Sequence, residues 1–574
     1  MSRKIVLMAG LLSLPLFAGA QFVPLTSLQE DVSFGLFRNE TDAALTVDET
    51  VYGPGFSQLD ADYLFAGLSN IAVGTPEGAL GTFPFAPDNP LWLGYYRAAG
   101  RPWSVFQGIF FSDGPDRTTE VAHGDENVET VGLTDHIWFD TVTTTLRRGT
   151  PTERLVTQTQ FLARIAPINL GAFFAVDRLD EVNPARNYVS TEVHQYNTSV
   201  PGAVPVVETN YVVTRAETEN DRRTEVVLGL PLFLPTEDPA HLFELELGWT
   251  RENLDTSLRV EHTVPQDPAH PDTSHVDEFV TDTYRTRSFT IAPAWTLIFP
   301  GLIGTNQNNR FAVGAGLDVT LHSATVVREE LEQTYLFVPG PDATAIPGER
   351  HEVVERAVVT GMMDLGLSAD VSHSIYYEPV DALTYGFTPT LTIRYDRGQT
   401  DPHNVRRVVT VERVDNTDDG AFDDPADEIV TRTETYADST LTGDRQVVSE
   451  IAFGFALPAS VRIQPEGWSV GFTLGSALSA SMTRTSTTTY QGHLAGERLR
   501  VVDGTGQVIS DAAAIYEVDY APGRAISHAW SFQADHSLGL HVLLPADARL
   551  DVVVRLANLL EFGSLGVQAT VPLN

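Results

Sequence analysis

The sequence predicts an all-β chain folded as a transmembrane antiparallel barrel of about sixteen strands, with fourteen as the alternative. Three observations carry that reading. Apolar side chains alternate with small or polar ones over runs of ten or more residues, the connections between runs fall into short and long classes, and no apolar run after the first 20 residues is long enough to cross a bilayer as a helix.

The alternation is clearest from Leu383 to Asp396, where Leu383, Tyr385, Phe387, Pro389, Leu391, Ile393 and Tyr395 share one parity and Thr384, Gly386, Thr388, Thr390, Thr392 and Arg394 the other. Successive strand side chains point to opposite faces, so one face is greasy and the other wet; a helix would need spacings of three and four. Further runs place Trp295 and Phe299, then Phe311, then Phe453 and Phe455, then Trp468 and Phe472, and finally Trp530 and Phe532 on the apolar parity. With Tyr385 and Phe387, these are the expected lipid-facing residues, the aromatics gathering near the run ends as interfacial girdles do. The opposite parity is rich in Gly, Ser, Thr and Ala and carries Asp318, Asp364, Asp370, Glu450, Asp535 and Asp551 with Arg164, Arg394 and Arg555, the expected pore-lining charges. Glycines there equally leave room for a plug.

Along the chain, Arg3 and Lys4 precede an apolar stretch from Ile5 to Phe17, and Ala18-Gly19-Ala20 supplies small residues, so residues 1–20 read as a signal peptide cleaved before Gln21. Residues 21–61 lack sustained alternation and read as a periplasmic segment or lumen plug, leaving 62–574 for the barrel. Short connections are expected at 98–100, 166–167, 235–240, 300–309, 372–381, 458–467 and 545–547; long ones at 113–151, 179–223, 251–287, 328–355, 398–445 and 484–527. That is the asymmetry of bacterial barrels, with tight periplasmic turns and long external loops. Alternating flanks such as Val408 to Arg413 and Ile429 to Thr435 make the long connections hairpins that continue the strands outward. Leu565, Val567, Ala569, Val571 and Leu573 write a closing strand like that read by the barrel-assembly machinery, though Asn574 stands where an aromatic residue usually does.

Composition fits. At 574 residues, 42% hydrophobic and a mean hydropathy of −0.07, the chain is too polar for a helical membrane protein, whereas a barrel hides its apolar half in such averages. A net charge of −39 excludes nucleic acid as a partner, and Lys4 is the sole lysine. The absence of cysteine removes disulfides and a lipoprotein anchor.

No motif carries catalysis. The acidic stretch from Asp415 to Asp427 has oxygen ligands and Gly420, but Ala426 occupies the twelfth position, where a calcium loop needs a bidentate carboxylate. His351-Glu352 is followed by Glu355 where a zinc-protease motif needs histidine, and His536 on the apolar parity has no serine tied to it by spacing. The expectation is therefore no enzyme, no cofactor and no metal. Expected partners are outer-membrane lipids, the assembly machinery and small solutes.

The segment Phe34-Gly35-Leu36-Phe37-Arg38-Asn39-Glu40-Thr41-Asp42, followed by Pro90-Leu91-Trp92-Leu93-Gly94-Tyr95-Tyr96, resembles the opening of spirochaete outer-membrane barrel proteins, several of which are similar to long-chain fatty-acid transporters. The resemblance implies the cell outer membrane and an N-terminal hatch in the lumen, and no catalytic residue. Three functions follow as expectations: a channel or transporter for passive uptake of small or hydrophobic solutes; a surface interaction or adhesion barrel acting through its acidic loops; or a secreted soluble β-protein.

Overall fold

The computed structural model describes residues 62–573 apart from the connections 72–90, 98–100, 113–116, 132–133, 149–152, 166, 183–187, 200–205, 236–238, 264–274, 301–308, 339–343, 381–382, 400–404, 418–420, 441–442, 466, 520 and 558–560. The expected signal peptide, residues 1–20, and the segment 21–61 lie outside the described residues.

Its strands, in chain order, are β1 (Asp62–Ile71), β2 (Leu91–Arg97), β3 (Trp103–Ser112), β4 (Arg117–Val131), β5 (Thr134–Arg148), β6 (Glu153–Ile165), β7 (Ile168–Val182) and β8 (Tyr188–Ser199). There follow β9 (Val206–Leu234), β10 (Ala240–Thr263), β11 (His275–Pro300), β12 (Asn309–Val338), β13 (Thr344–Val380), β14 (Leu383–Phe387), β15 (Thr390–Gln399), β16 (Val405–Val414) and β17 (Glu428–Ala437). The last are β18 (Ser439–Thr440), β19 (Gly443–Ile463), β20 (Val470–Tyr490), β21 (His493–Asp503), β22 (Val508–Ile515), β23 (Gly523–Leu543), β24 (Arg549–Ala557) and β25 (Glu561–Leu573).

Antiparallel pairing closes the sheet into a 16-strand barrel. The ring runs β1-β2-β3-β6-β7-β9-β10-β11-β12-β13, then β14 with β15, then β19-β20-β23-β24-β25, and β25 pairs back onto β1. Closure gives every strand of the ring a neighbour on both sides, which an apolar surround requires, although among the described residues Gly523–Ala534 of β23 pair with β20 alone. The weakly alternating first and last strands are thus the seam, and the count is sixteen, not fourteen.

Three expectations are corrected. The run from Leu383 to Asp396 is broken into β14 and β15 because Pro389 has no N–H for the ladder; its carbonyl still accepts from His373 N at 3.1 Å, and the parity is kept across the break. Pro458 does not open a turn but sits inside β19, where its carbonyl accepts from Thr388 N at 3.0 Å. β13 likewise runs to Val380, well past Ser372.

The long hairpins form a second tier on the ring. β9 pairs with β7 through Asn220 to Phe233 and with β8 through Val206 to Glu217, so β8 continues the column of β7. β5 pairs with β8 and β4 with β5, extending the columns of β6 and β3. On the other side β13 pairs with β15 through Met363 to Ser372 and with β16 through Glu349 to Val358. From β16 the tier passes to β17, β21 and β22, above β15, β19, β20 and β23. The Arg445 Nε to Asp438 Oδ1 contact of 2.7 Å, with Arg445 stacked 3.8 Å from the Tyr490 ring, ties the tiers where β17 meets β19. The tier thus covers the columns of β3, β6, β7, β9 to β13, β15, β19, β20 and β23. Over β24, β25, β1 and β2 the described wall stays at ring height.

Candidate functional site: the barrel wall and its inner face

Side-chain exposure separates the two faces of the ring. Leu64, Leu93, Ile109, Phe161, Phe174, Leu230, Trp295, Leu367, Ile393, Phe453, Phe472 and Leu538 are large apolar residues left exposed, and cross-strand register puts them on one continuous side. In a closed barrel the divergent convex side cannot cover such residues, so this is the outer wall. Two aromatic levels bound it. At the short-turn end His241, Phe243 and Trp295 stack at 5.9 and 6.1 Å, and Trp295 Nε1 donates to His241 Nδ1 at 3.2 Å. Towards the tier, Trp249, Phe289, Leu321 and Met363 lie opposite one another across four strands. Eight residues from His241 to Trp249 span about 26 Å of strand, which at a tilt of roughly 40° stands about 20 Å tall, close to the apolar band of a membrane barrel.

The expected lipid-facing residues that lie on strands take this side, while Trp468 sits in the turn between β19 and β20. Tyr385, Phe453, Phe455, Trp468, Phe472, Trp530 and Phe532 are exposed, Phe387 is half-buried, and Phe299 and Phe311 cover each other at 6.3 Å. Leu383, Tyr385, Phe387, Leu457, Ala459 and Val461 border an apolar groove of about 520 Å³ on the same wall.

The inner face is where side chains converge. A Cβ on Gly94 would sit 2.9 Å from the Phe106 ring, one on Gly171 2.7 Å from Pro231, and one on Gly314 in contact with the Asp370 carboxylate. Towards the short-turn end Leu162, Phe233, Ala240, Leu242, Ile298 and Ala312 form a buried apolar cluster, and Phe106 and Tyr96 are 0% and 1% exposed.

Above that floor the inner face is acidic. The structure brings Asp318 on β12, Asp364 and Asp370 on β13, Arg394 on β15 and Glu450 on β19 onto neighbouring strands. Thr290 and Thr320 Oγ1 atoms lie 2.9 Å apart, Thr320 donates to Asp318 Oδ1 at 3.2 Å, His322 Nε2 meets Asp364 Oδ2 at 2.6 Å, and Arg394 Nε lies 2.6 and 2.8 Å from the two Asp396 oxygens. Glu225, Glu244 and Glu246, absent from the expected pore-lining set, are placed by the register on the same face of β9 and β10. Their signal was the short Leu-Phe-Glu-Leu-Glu-Leu alternation from Leu242 to Leu247.

Asp551 stands apart. It is fully buried at the short-turn end, where Arg549 Nε donates to its Oδ1 at 2.6 Å and His541 Nδ1 lies 2.7 Å from the same oxygen; Arg549 also meets His541, and His541 Nε2 lies 2.6 Å from Thr473 Oγ1. Its charge is therefore spent inside a network, contrary to a free pore-lining acid. Arg462 and Arg164 share this end. Asp535 and Arg555 lie on inner-parity positions of β23 and β24, but their side chains are outside the described residues.

Other motifs are absorbed structurally. Asp427 Oδ1 and Oδ2 accept the amides of Asn416 and Asp424 at 2.9 Å each, and Asp415 Oδ1 accepts Thr417 N at 3.0 Å, so both carboxylates cap the β16–β17 tip. Gly504 N donates to Asp427 O at 3.1 Å, which docks the β21–β22 turn there. Glu352 is held by Arg350 at 2.6 Å and Arg413 at 2.8 Å. His536 lies opposite Ser476 on the outer wall with its Nε2 buried. Among the described residues no group of three or more His, Asp or Glu is placed to hold a metal ion.

No protein-family model and no curated protein matches the chain. Solved structures similar to it include a TodX monoaromatic hydrocarbon channel mutant, at 8% identity and a TM-score of 0.23 over 89% of each chain. The ferric yersiniabactin uptake receptor FyuA from Yersinia pestis matches at 9% identity and 0.22, over 92% of this chain and 84% of that one. The copper transporter OprC matches at 9% and 0.23, over 89% and 80%.

Proposed function

We propose that the chain is an outer-membrane channel or transporter for passive uptake of small or hydrophobic solutes. The observation that carries this reading is the closed 16-strand ring with large apolar residues exposed on its outer wall and a polar, acidic inner face. A wall of that kind is stable where hydrocarbon covers it, and a ring of sixteen strands is wide enough for water and solute inside. The upper tier then faces the exterior and the short turns the periplasm, with Asp318, Asp364, Asp370, Arg394 and Glu450 lining the path. On this reading residues 21–61 serve as a hatch, as a kinship with hatch-containing fatty-acid transporters of the spirochaete type would entail.

Heat-modifiable migration on a detergent gel, followed by single-channel conductance with and without residues 21–61, tests it. A heat-sensitive compact band and conductance that rises on deleting 21–61 are expected. A mature chain that dissolves in plain buffer as a compact monomer, or a barrel that never conducts in either form, overturns it.

A further inference from the structure

The inner face exposes its carboxylates above and closes below. In the acidic band the side chains of Asp364 and Asp396 are 46% and 31% exposed. Towards the short turns, on the arc from β13 to β25, Ser374, Ser460, His541, Arg549, Asp551 and Thr570 are at most 8% exposed. On the arc from β3 to β12 the same holds for Phe106, Leu162, Phe233, Leu242, Ile298 and Ala312, at most 7% exposed.

The two arcs close by different chemistry. In the first, polar groups answer one another: Asp551 Oδ1 accepts from Arg549 Nε and lies beside His541 Nδ1, and His541 Nε2 reaches Thr473 Oγ1. The second is largely apolar, interrupted by buried Ser104 on β3 and Asn169 on β7. Its residues hold the inward parity, on which the rest of the ring carries Gly, Ser, Thr and acids. Leu162 of β6 and Pro231 of β9 close over β7 because Gly171 lies between them; a Cβ there would stand 3.1 Å from Leu162 and 2.7 Å from Pro231. The packed cluster then runs through Phe233, Leu242, Ile298 and Ala312 on β9, β10, β11 and β12.

On β10 the change from dry to wet is abrupt. Leu242 and Glu244 are successive residues of the inward parity, about 7 Å apart along the strand. On β12 Ala312 gives way to Gly314, Gly316 and Asp318. A cation gathered by these acids therefore meets, one step further down, buried side chains that cannot replace its water, and shedding that water is costly.

We propose that the apolar arc from Phe106 to Ala312, centred on Leu242 and Ile298, is the ion barrier of the lumen: a hydrophobic seal built from the barrel wall itself and separate from residues 21–61. Its place follows from burial and parity, and its role rests on the transport reading.

The chain has no cysteine, so single introduced thiols report water one position at a time. Leu242→Cys, Ile298→Cys, Glu246→Cys and Asp318→Cys are made in the full-length chain, reconstituted in lipid vesicles and treated with a charged thiosulfonate reagent. Leu242→Cys and Ile298→Cys are expected to react at least about tenfold more slowly than the other two. Planar-bilayer conductance is the second readout. The Leu242→Asn, Ile298→Asn double variant is expected to raise KCl conductance about tenfold with heat-modifiable migration retained, and Ile298→Thr, a milder change, to raise it in the same direction. Equal labelling at all four positions overturns the seal. Unchanged conductance in these variants, in a chain whose conductance does rise when 21–61 are deleted, overturns it too and leaves the transport reading standing. Absence of conductance in every form removes the transport reading, and the barrier with it, however slow the labelling.

Discussion

Gly314 and Asp370 face each other across β12 and β13, and the carboxylate occupies the space that a Cβ on Gly314 would fill. The neighbouring Gly316 is filled in the same way by Ser368, whose Oγ lies 2.6 Å from the ideal Cβ position. These inner-face glycines are partners for long side chains and not merely vacant wall.

Gly314→Ala is accordingly expected to destabilise the barrel by about 1–3 kcal/mol, the usual cost of overpacking, as the Asp370 rotamer is forced to move. Gly314→Ala combined with Asp370→Ala should recover most of the loss. Urea unfolding in lipid vesicles, read by tryptophan fluorescence, measures both.

Ile291 lies on the outer wall between the two aromatic levels, 40% exposed. Ile291→Arg is expected to cost about 2–4 kcal/mol in a bilayer, because the guanidinium enters hydrocarbon near mid-depth. The same change at Asn253, on the same parity of β10 but beyond the Trp249 level, should cost under about 1 kcal/mol.

Replacing Asp551 by Ala withdraws the carboxylate shared by buried Arg549 and His541. A loss of roughly 3–5 kcal/mol is expected, with the same unfolding assay as readout; Asp551→Asn should lose less, because it keeps one acceptor for Arg549.

The Glu244→Gln, Glu246→Gln double variant removes two acids from the inner face without changing side-chain volume. If that face lines the path, cation preference falls, and the reversal potential under a KCl gradient moves towards the neutral value. Replacing the acids of the β16–β17 tip should leave the potential nearly unchanged, since they cap a remote turn.

The β21–β22 hairpin should be acid-sensitive. The bond from Arg498 holds the Asp511 carboxyl below its ordinary value, and the Thr505 hydroxyl and Gln507 amide do the same for Asp503. Both contributions are fully present above the ordinary carboxylate value near 4 and disappear as pH falls through the lowered ones. Pepsin cleavage within residues 503–515 should therefore appear only on the acid side of that range, and Arg498→Gln should move its onset to higher pH.

Much of the ring is readable in the sequence because an apolar outer wall and a polar inner face impose opposite demands on alternate residues; Tyr385, Ile393 and Phe453 obey this even across the break at Pro389. The second tier was legible only as hairpins. That β8 sits on the column of β7, or β16 on that of β15, depends on how β9 and β13 divide their length between two neighbours, and no local pattern encodes the division. Asp551 is a related case: parity fixes its face, but its partner His541, itself bonded to Thr473 of β20, comes from β23, and Arg549 lies two residues before it on β24. Glu244 and Glu246 were overlooked because the alternation that contains them is brief.

Among the described residues the unequal height of the wall sets a front and a back. Anything arriving from the tier side meets a screen of strands around most of the circumference, whereas along the arc of β24, β25, β1 and β2 the described rim stands no higher than the apolar band. On the transport reading, a solute passing the described residues meets an opening that differs from side to side, and two such barrels set next to each other would present different openings according to which way each had turned.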